Sequence, residues 1–263
     1  RKFGKRDGGA MFVYRMNEKK NNIAGTSEEN LLPYREQGMA GRVTYGFDNR
    51  YLFEASFGYN GSENFAPGKR WGFFPSAAAG WVISNEAFFE PLTNVIRYLK
   101  VRGTWGQVGN SQISGRRFAY LATVKDTNDT SYQFGKNMDQ TYGTTAIDEY
   151  AVDVTWEIAD KTNIGLDMRL LNNKFNLQFD AFKESRKGIY LRRTSIPSYF
   201  GMINNPYGNI GKVENKGIEM SVSYANSWRD WSLSVMGNYS FNRNKVLEDD
   251  STVAYPWQNT IGN

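Results

Sequence analysis

Arg50-Tyr-Leu-Phe-Glu-Ala-Ser-Phe-Gly-Tyr-Asn60 alternates residue by residue. Tyr51, Phe53, Ala55, Phe57 and Tyr59 fall on one side. Arg50, Glu54, Ser56, Gly58 and Asn60 fall on the other, with Leu52 the one large apolar exception. A period of two marks a strand with one apolar and one wet face. Upstream, 38–47 repeats the pattern through Met39, Val43, Tyr45 and Phe47, and Asp48-Asn49 supplies two residues that tolerate positive φ, as a tight hairpin requires. Downstream, 70–84 carries Pro75 and Ala77-Ala78-Ala79-Gly80, small residues that predict a bulge, an edge or the close approach of another segment. Leu99, Val101 and Trp105 align within 98–108.

The same alternation predicts strands over 9–16 (Ala10, Phe12, Tyr14, Met16), 163–171 (Ile164, Leu166, Met168, Leu170, with a start as early as Asp153), 174–184 (Phe175, Leu177, Phe179, Ala181), 217–225 (Ile218, Met220, Val222, Tyr224) and 231–241 (Trp231, Leu233, Val235, Tyr239, Phe241). Nine strands without an intervening helix make an antiparallel meander. The connections 48–49, 172–173 and 227–230 are short. Those over 17–37, 111–151 and 190–216 read as long loops, with medium ones over 61–69 and 85–97. A soluble sandwich explains any single strand equally well but gives no reason for the short turns to gather at one end. A transmembrane barrel does, with short periplasmic turns, long extracellular loops and aromatic girdles. Strands of about 9–11 residues also suit a tilted bilayer crossing.

Composition fits both a soluble core and a barrel. Aromatics reach 15% while the mean hydropathy is −0.60, and the net charge of +5 is scattered along the chain. No basic run suggests a nucleic-acid partner. With neither Cys nor His, disulfides, the usual zinc sets and Cys- or His-based nucleophile pairs are excluded. No segment is apolar enough for a transmembrane helix. The chain opens Arg1-Lys-Phe-Gly-Lys without an apolar leader, ends in loop-like sequence, and reads as an internal piece of something longer.

Other motifs are weak. Asp126-Thr-Asn-Asp129 lacks the rest of a calcium-loop ladder and reads as a solvated loop. Gly208-Asn-Ile-Gly-Lys-Val213 lacks the hydroxyl residue of a phosphate loop and reads as a turn. Glu86 with Glu90, or Asp153 with Glu157, would make an acid–base pair only if brought around a substrate, and surface carboxylates are the plainer reading. The loop aromatics Tyr132, Phe134, Tyr142, Tyr199, Phe200 and Tyr207 are candidate substrate contacts, able to stack on sugar rings or grip peptide side chains; packing the loops on one another is the alternative. No catalytic residue, metal ligand or cofactor is assigned, and the chain is not read as an enzyme.

An ordered set of pieces resembles the barrel of the SusC/RagA family of TonB-dependent outer-membrane transporters: Gly41-Arg-Val-Thr-Tyr45, Asp48-Asn-Arg-Tyr-Leu-Phe-Glu-Ala55, Asn60-Gly-Ser-Glu-Asn-Phe65, Arg70-Trp-Gly-Phe-Phe-Pro-Ser76, Gly80-Trp-Val-Ile-Ser84, Leu99-Lys-Val-Arg102 with Gly109-Asn110, Asn163-Ile-Gly-Leu166 and Asn215-Lys-Gly-Ile-Glu219. The resemblance implies that residues 1–263 belong to one transmembrane domain, about nine strands of a 22-stranded barrel in the bacterial outer membrane, with the plug domain and remaining strands lying outside this chain. It implies a SusD-like surface lipoprotein as lid, a TonB complex acting through the plug, oligosaccharides or peptides as cargo, and dimers of transporter–lid pairs. The alternative is a passive porin, or a surface-binding β-barrel, without energy coupling.

Overall fold

The computed structural model describes residues 2–20, 32–113, 116–136, 138 and 140–262. Its strands are β1 (Lys2–Phe3), β2 (Arg6–Lys19), β3 (Tyr34–Phe47), β4 (Tyr51–Ser62), β5 (Trp71–Val82), β6 (Ile96–Asn110), β7 (Thr123–Phe134), β8 (Gln140–Glu149), β9 (Glu157–Leu170), β10 (Phe175–Arg192), β11 (Tyr207–Trp228) and β12 (Trp231–Glu248). Ten of them form one antiparallel sheet in the order β1-β2-β3-β4-β5-β6-β9-β10-β11-β12, and β7 pairs only with β8. Each strand of the large sheet lies beside its neighbour in sequence, apart from the β7–β8 excursion between β6 and β9. The sheet does not close on itself among the described residues.

The register places the predicted apolar faces on a single side. One ladder row reads Phe47–Tyr51–Trp81–Val101–Leu166–Phe179–Met220–Tyr239, apolar or aromatic across eight strands. The next row on the opposite face reads Gly46–Leu52–Gly80–Arg102–Gly165–Asp180–Glu219–Ser240. On that face the Arg102 guanidinium joins Asp180 at 2.7 Å and Asp167 at 3.4 Å, and Arg42 meets Glu54 at 2.5 Å. Among the described residues no layer covers the apolar side: Phe53 is 53%, Ile164 61% and Phe241 56% exposed. An apolar face this wide without a partner layer needs a lipid solvent, while the polar face suits a lumen.

Turns at one end are tight. Asp48 and Asn49 both take positive φ (52° and 53°), the type I′ geometry expected of them, and Arg50 N–H donates to the Phe47 carbonyl at 2.9 Å. Asn172 and Asn173 do the same between β9 and β10 (φ 57° and 68°). The Ile83–Val95 connection is fastened to the β3–β4 turn, where the Trp81 indole donates to Glu86 at 3.0 Å and Arg50 pairs with the same carboxylate at 3.2 Å. The Trp81 hydrogen bond, helped by Tyr51 and Arg50, holds the Glu86 carboxyl below its ordinary range.

Three sequence expectations change. The supposed loop over 111–151 contains the β7–β8 hairpin, and Asp126–Asp129 lies within β7 rather than in a solvated loop. The long loop over 190–216 shrinks to 193–206, because β10 and β11 run on to 18 and 22 residues. Gly208–Val213 is therefore strand, where a turn was expected; Ile210 is left unpaired in its ladder with β10, facing a second bulge at Gly188 (φ 71°) of β10, and this breaks the alternation. The small residues Ala77–Gly80 of β5 are paired on both sides, with β4 and β6, and the edge of β5 lies beyond them, at Trp71–Pro75. Its ladder to β6 stops at Ser76↔Gly106, next to Pro75, which has no N–H to offer.

Candidate functional site at the loop end of the sheet

Where β5 and β6 part, the Phe74 ring turns onto the polar face and lies over Gly72 and Gly109. A β-carbon at either glycine would run into that ring. Phe74 is the floor of a small core, joined by Phe65 from the β4–β5 loop, Ile113 and Ala119 from the segment after β6, Val154 and Trp156 before β9, and Tyr190 of β10. Trp156 is the hub: its ring centroid stands 5.0 Å from Phe65 and 5.2 Å from Phe74, the latter edge-on. Four chain segments thus share one desolvated cluster directly beneath the loops.

Two consecutive arginines, nearly buried, tie the loops above it. The Arg116 guanidinium donates to the carbonyl oxygens of Leu121 (3.1 Å) and Tyr150 (3.4 Å) and pairs with Glu149. Arg117 donates to the carbonyls of Leu32 (2.7 Å) and Pro33 (2.9 Å), pairs with Glu63 at 2.9 Å and sits 4.7 Å from the Phe118 ring centroid. One arginine therefore holds the end of β8, and its neighbour holds the β2–β3 and β4–β5 loops. The Asn209 amide adds a third fastening, donating to the Thr155 and Gly188 carbonyls and accepting from Thr155 N–H at 2.9 Å.

Three of the four carboxylates weighed as acid–base residues, Glu86, Asp153 and Glu157, are held in ion pairs. Asp153 pairs with Lys69 at 2.5 Å and Glu157 with Arg186 at 3.5 Å, while Glu86 belongs to the turn at the far end of the strands. Among the described residues no group of acidic side chains could hold a metal ion.

Of the six candidate aromatics, Tyr199 and Phe200 stand outward, 83% and 63% exposed, with rings stacked at 5.3 Å. Tyr207 turns inward and stacks on Tyr190 at 5.0 Å against the core. Tyr132 and Tyr142 are cross-strand partners on β7 and β8, and Phe134 sits opposite Gln140 near the hairpin tip. A second exposed pair escaped the sequence reading: Tyr255 and Trp257 stack at 4.6 Å with rings 6° apart, presented by a short 3₁₀ turn at Pro256–Gln258. Ring-Pro-ring spacing is the signal that could have found it, since the proline fixes the turn that brings the two rings together.

The 193–206 loop is clasped to the segment after β12 through Asp250. Ser195 Oγ donates to Asp250 Oδ1 at 2.8 Å, Thr194 Oγ1 donates to its carbonyl at 2.6 Å, and Arg193 approaches at 3.5 Å. Desolvation pushes the Asp250 carboxyl up, but the Ser195 hydrogen bonds and Arg193 outweigh it and leave it below its ordinary range. A depressed carboxyl stabilises the clasp above the usual aspartate range and releases it as pH falls through the folded-state value. Proteolytic nicking within 193–206 is accordingly expected to stay constant from pH 7 to about 5 and to rise below about pH 4, with Asp250→Asn removing that pH dependence; a cleavage rate independent of pH in the native protein would contradict the clasp.

With this geometry in view, the comparisons are decisive. The family profile described as TonB dependent receptor-like, beta-barrel matches residues 10–262. The chain belongs to that family. TonB-dependent receptor SusC of Bacteroides thetaiotaomicron is 33% identical over 217 residues, which is 80% of this chain and 21% of the relative. TonB-dependent receptor P3 of Formosa agariphila is 31% identical over 210 residues, 79% of the chain and 20% of the relative. In fold, the RagAB peptide importer in its closed-closed state superposes with a TM-score of 0.74 at 21% identity, covering 98% of this chain and 30% of that one. The siderophore receptor PirA of Pseudomonas aeruginosa follows at 0.55 and 11% identity, covering 92% and 40%. The chain spans about a fifth of the length of the curated relatives it matches. It is barrel wall of an outer-membrane protein, its long loops on the extracellular side and its tight turns in the periplasm, and the family is one of receptors rather than enzymes.

Proposed function

We propose that the protein to which this chain contributes barrel wall imports oligosaccharides or peptides across the outer membrane. A plug domain couples it to the TonB complex, and a SusD-like surface lipoprotein closes it from outside. The observation that carries this reading is the extracellular platform: four segments held on one core, with outward aromatic pairs on loops fixed by Arg116, Arg117 and Asp250. Its likeness to SusC and to the RagAB importer supports that choice of cargo and lid. Tyr199 and Phe200, with Tyr132, Phe134 and Tyr142 of the hairpin, form the cargo contact, and Tyr207 braces it from beneath.

The test is accumulation of labelled oligosaccharide and peptide pools by cells carrying the full-length protein. One pool is taken up, and uptake stops when the proton-motive force is collapsed; continued uptake would make the protein a passive porin. Two ring contacts are worth about 1 kcal/mol each, so Tyr199→Ala with Phe200→Ala is expected to weaken cargo binding by roughly tenfold or more. Unchanged affinity, measured by titration of the purified protein, would remove that pair from the site.

A further inference from the structure

On the membrane-facing side of β10–β12 the apolar rows end abruptly in cations. The row Ala181–Ile218–Phe241 is followed, two residues higher on each strand, by Lys183–Lys216–Arg243, three positive side chains directly opposite one another across three strands. Lys245 lies one step further up, paired with Glu214 in the register. Glu214 is the lone carboxylate among them, meeting Lys183 at 2.8 Å and Lys216 at 3.9 Å. Arg243 and Lys245 have no ion-pair partner within 4 Å among the described residues, and both are exposed. At the equivalent upper edge of β2–β5 the outer face carries Met16–Gln37–Gly61–Trp71, and the cation one step above, Arg35, stands opposite Glu18 and pairs with it at 3.3 Å. The charge is therefore a local feature of β10–β12 rather than a belt around the wall.

Like charges directly opposite on neighbouring strands repel, and one carboxylate does not neutralise four cations. The apolar band fixes the height of this cluster at the outer boundary of the hydrocarbon, where headgroups lie. We propose that Lys183, Lys216, Arg243 and Lys245 form a binding site for the phosphate-bearing headgroup of an outer-leaflet lipid, whose acyl chains run down over Ile218 and Phe241. Phosphate there relieves the repulsion, and the apolar row beneath supplies the contact that a soluble anion would lack. Cations near an anionic membrane surface each strengthen binding by about a factor of five.

The experiment is native mass spectrometry of the full-length protein from a mild detergent, with lipid A and its enzymatically dephosphorylated form as probes. The native protein is expected to retain phosphorylated lipid A. The triple variant Lys183→Gln, Lys216→Gln, Arg243→Gln should bind it roughly 100-fold more weakly, whereas Lys5→Gln at the periplasmic turn should bind as the native protein does. Equal binding by the triple variant, or of the dephosphorylated lipid by the native protein, overturns the proposal, as does displacement of the lipid by inorganic phosphate alone. Should the triple variant fail to fold, the native protein decides: thermal stabilisation by lipid A that fades with added salt supports the site, and stabilisation indifferent to salt overturns it.

Discussion

Trp156→Ala is expected to cost about 3–5 kcal/mol of local stability at the extracellular end, the usual penalty for removing a large aromatic side chain from a packed cluster. Trp156 touches both Phe65 and Phe74 and is 8% exposed, so its removal leaves a void between the β4–β5 loop and β5 in the middle of the cluster. The penalty falls on the loops, because the strands beneath are held by their own ladders and by lipid. Hydrogen exchange should therefore accelerate strongly in 111–113, 116–122 and 150–156 while β3 and β4 keep native protection. Trp156→Phe should recover much of the loss. Unfolding of the whole sheet by Trp156→Ala would show that the cluster is the domain's core rather than a cap on it.

Ala55→Arg is expected to destabilise the folded barrel by about 2–4 kcal/mol, the cost of a cation near the bilayer midplane. Ala55 lies halfway along the apolar face of β4, flanked in the ladder by Val43 and Ala77, so the new side chain has no polar neighbour. The adjacent residue, Ser56, points the other way and meets Ser76 across the strand at 2.6 Å. Ser56→Lys should cost less than about 1 kcal/mol, since a lumen is wet and tolerates charge. Urea titration of the full-length protein refolded into lipid vesicles checks both values. Equal penalties at 55 and 56 would mean that the two faces do not differ in solvent.

What the sequence disclosed follows from where lipid imposes order. Within the bilayer each strand must keep one face apolar, so the alternation through Phe12, Val43, Phe53, Ile164, Phe179, Met220 and Tyr239 was legible residue by residue, and the register confirms that these residues share a face. Above the bilayer that demand ends. Residues 185–192 and 207–216 continue as strand with water on their outer side and a bulge between them, so their pattern reads as loop. The β7–β8 hairpin is hidden for the same reason, being rich in Thr, Asp and Asn and bordered by no apolar face. The loop core was invisible because Phe65, Phe74, Val154 and Trp156 come from separate segments with no shared period, and only the parting of β5 from β6 brings them together. Among the site residues, exposure at Tyr199 and inward packing at Tyr207 could not be told apart from their neighbours in the chain.

The central claim is that one face of this sheet meets lipid and the other meets water. This chain holds no cysteine, so in the full-length protein with any cysteine outside it replaced by serine, single cysteines placed in turn at positions 51 to 60, in native membranes, report it directly. Positions 51, 53, 55, 57 and 59 should react with a membrane-partitioned maleimide and resist a water-soluble one, and positions 52, 54, 56, 58 and 60 should not react with the membrane-partitioned reagent. Labelling without that alternation, or water-soluble reagent reaching Phe53 and Ala55 as readily as Glu54, would contradict the account.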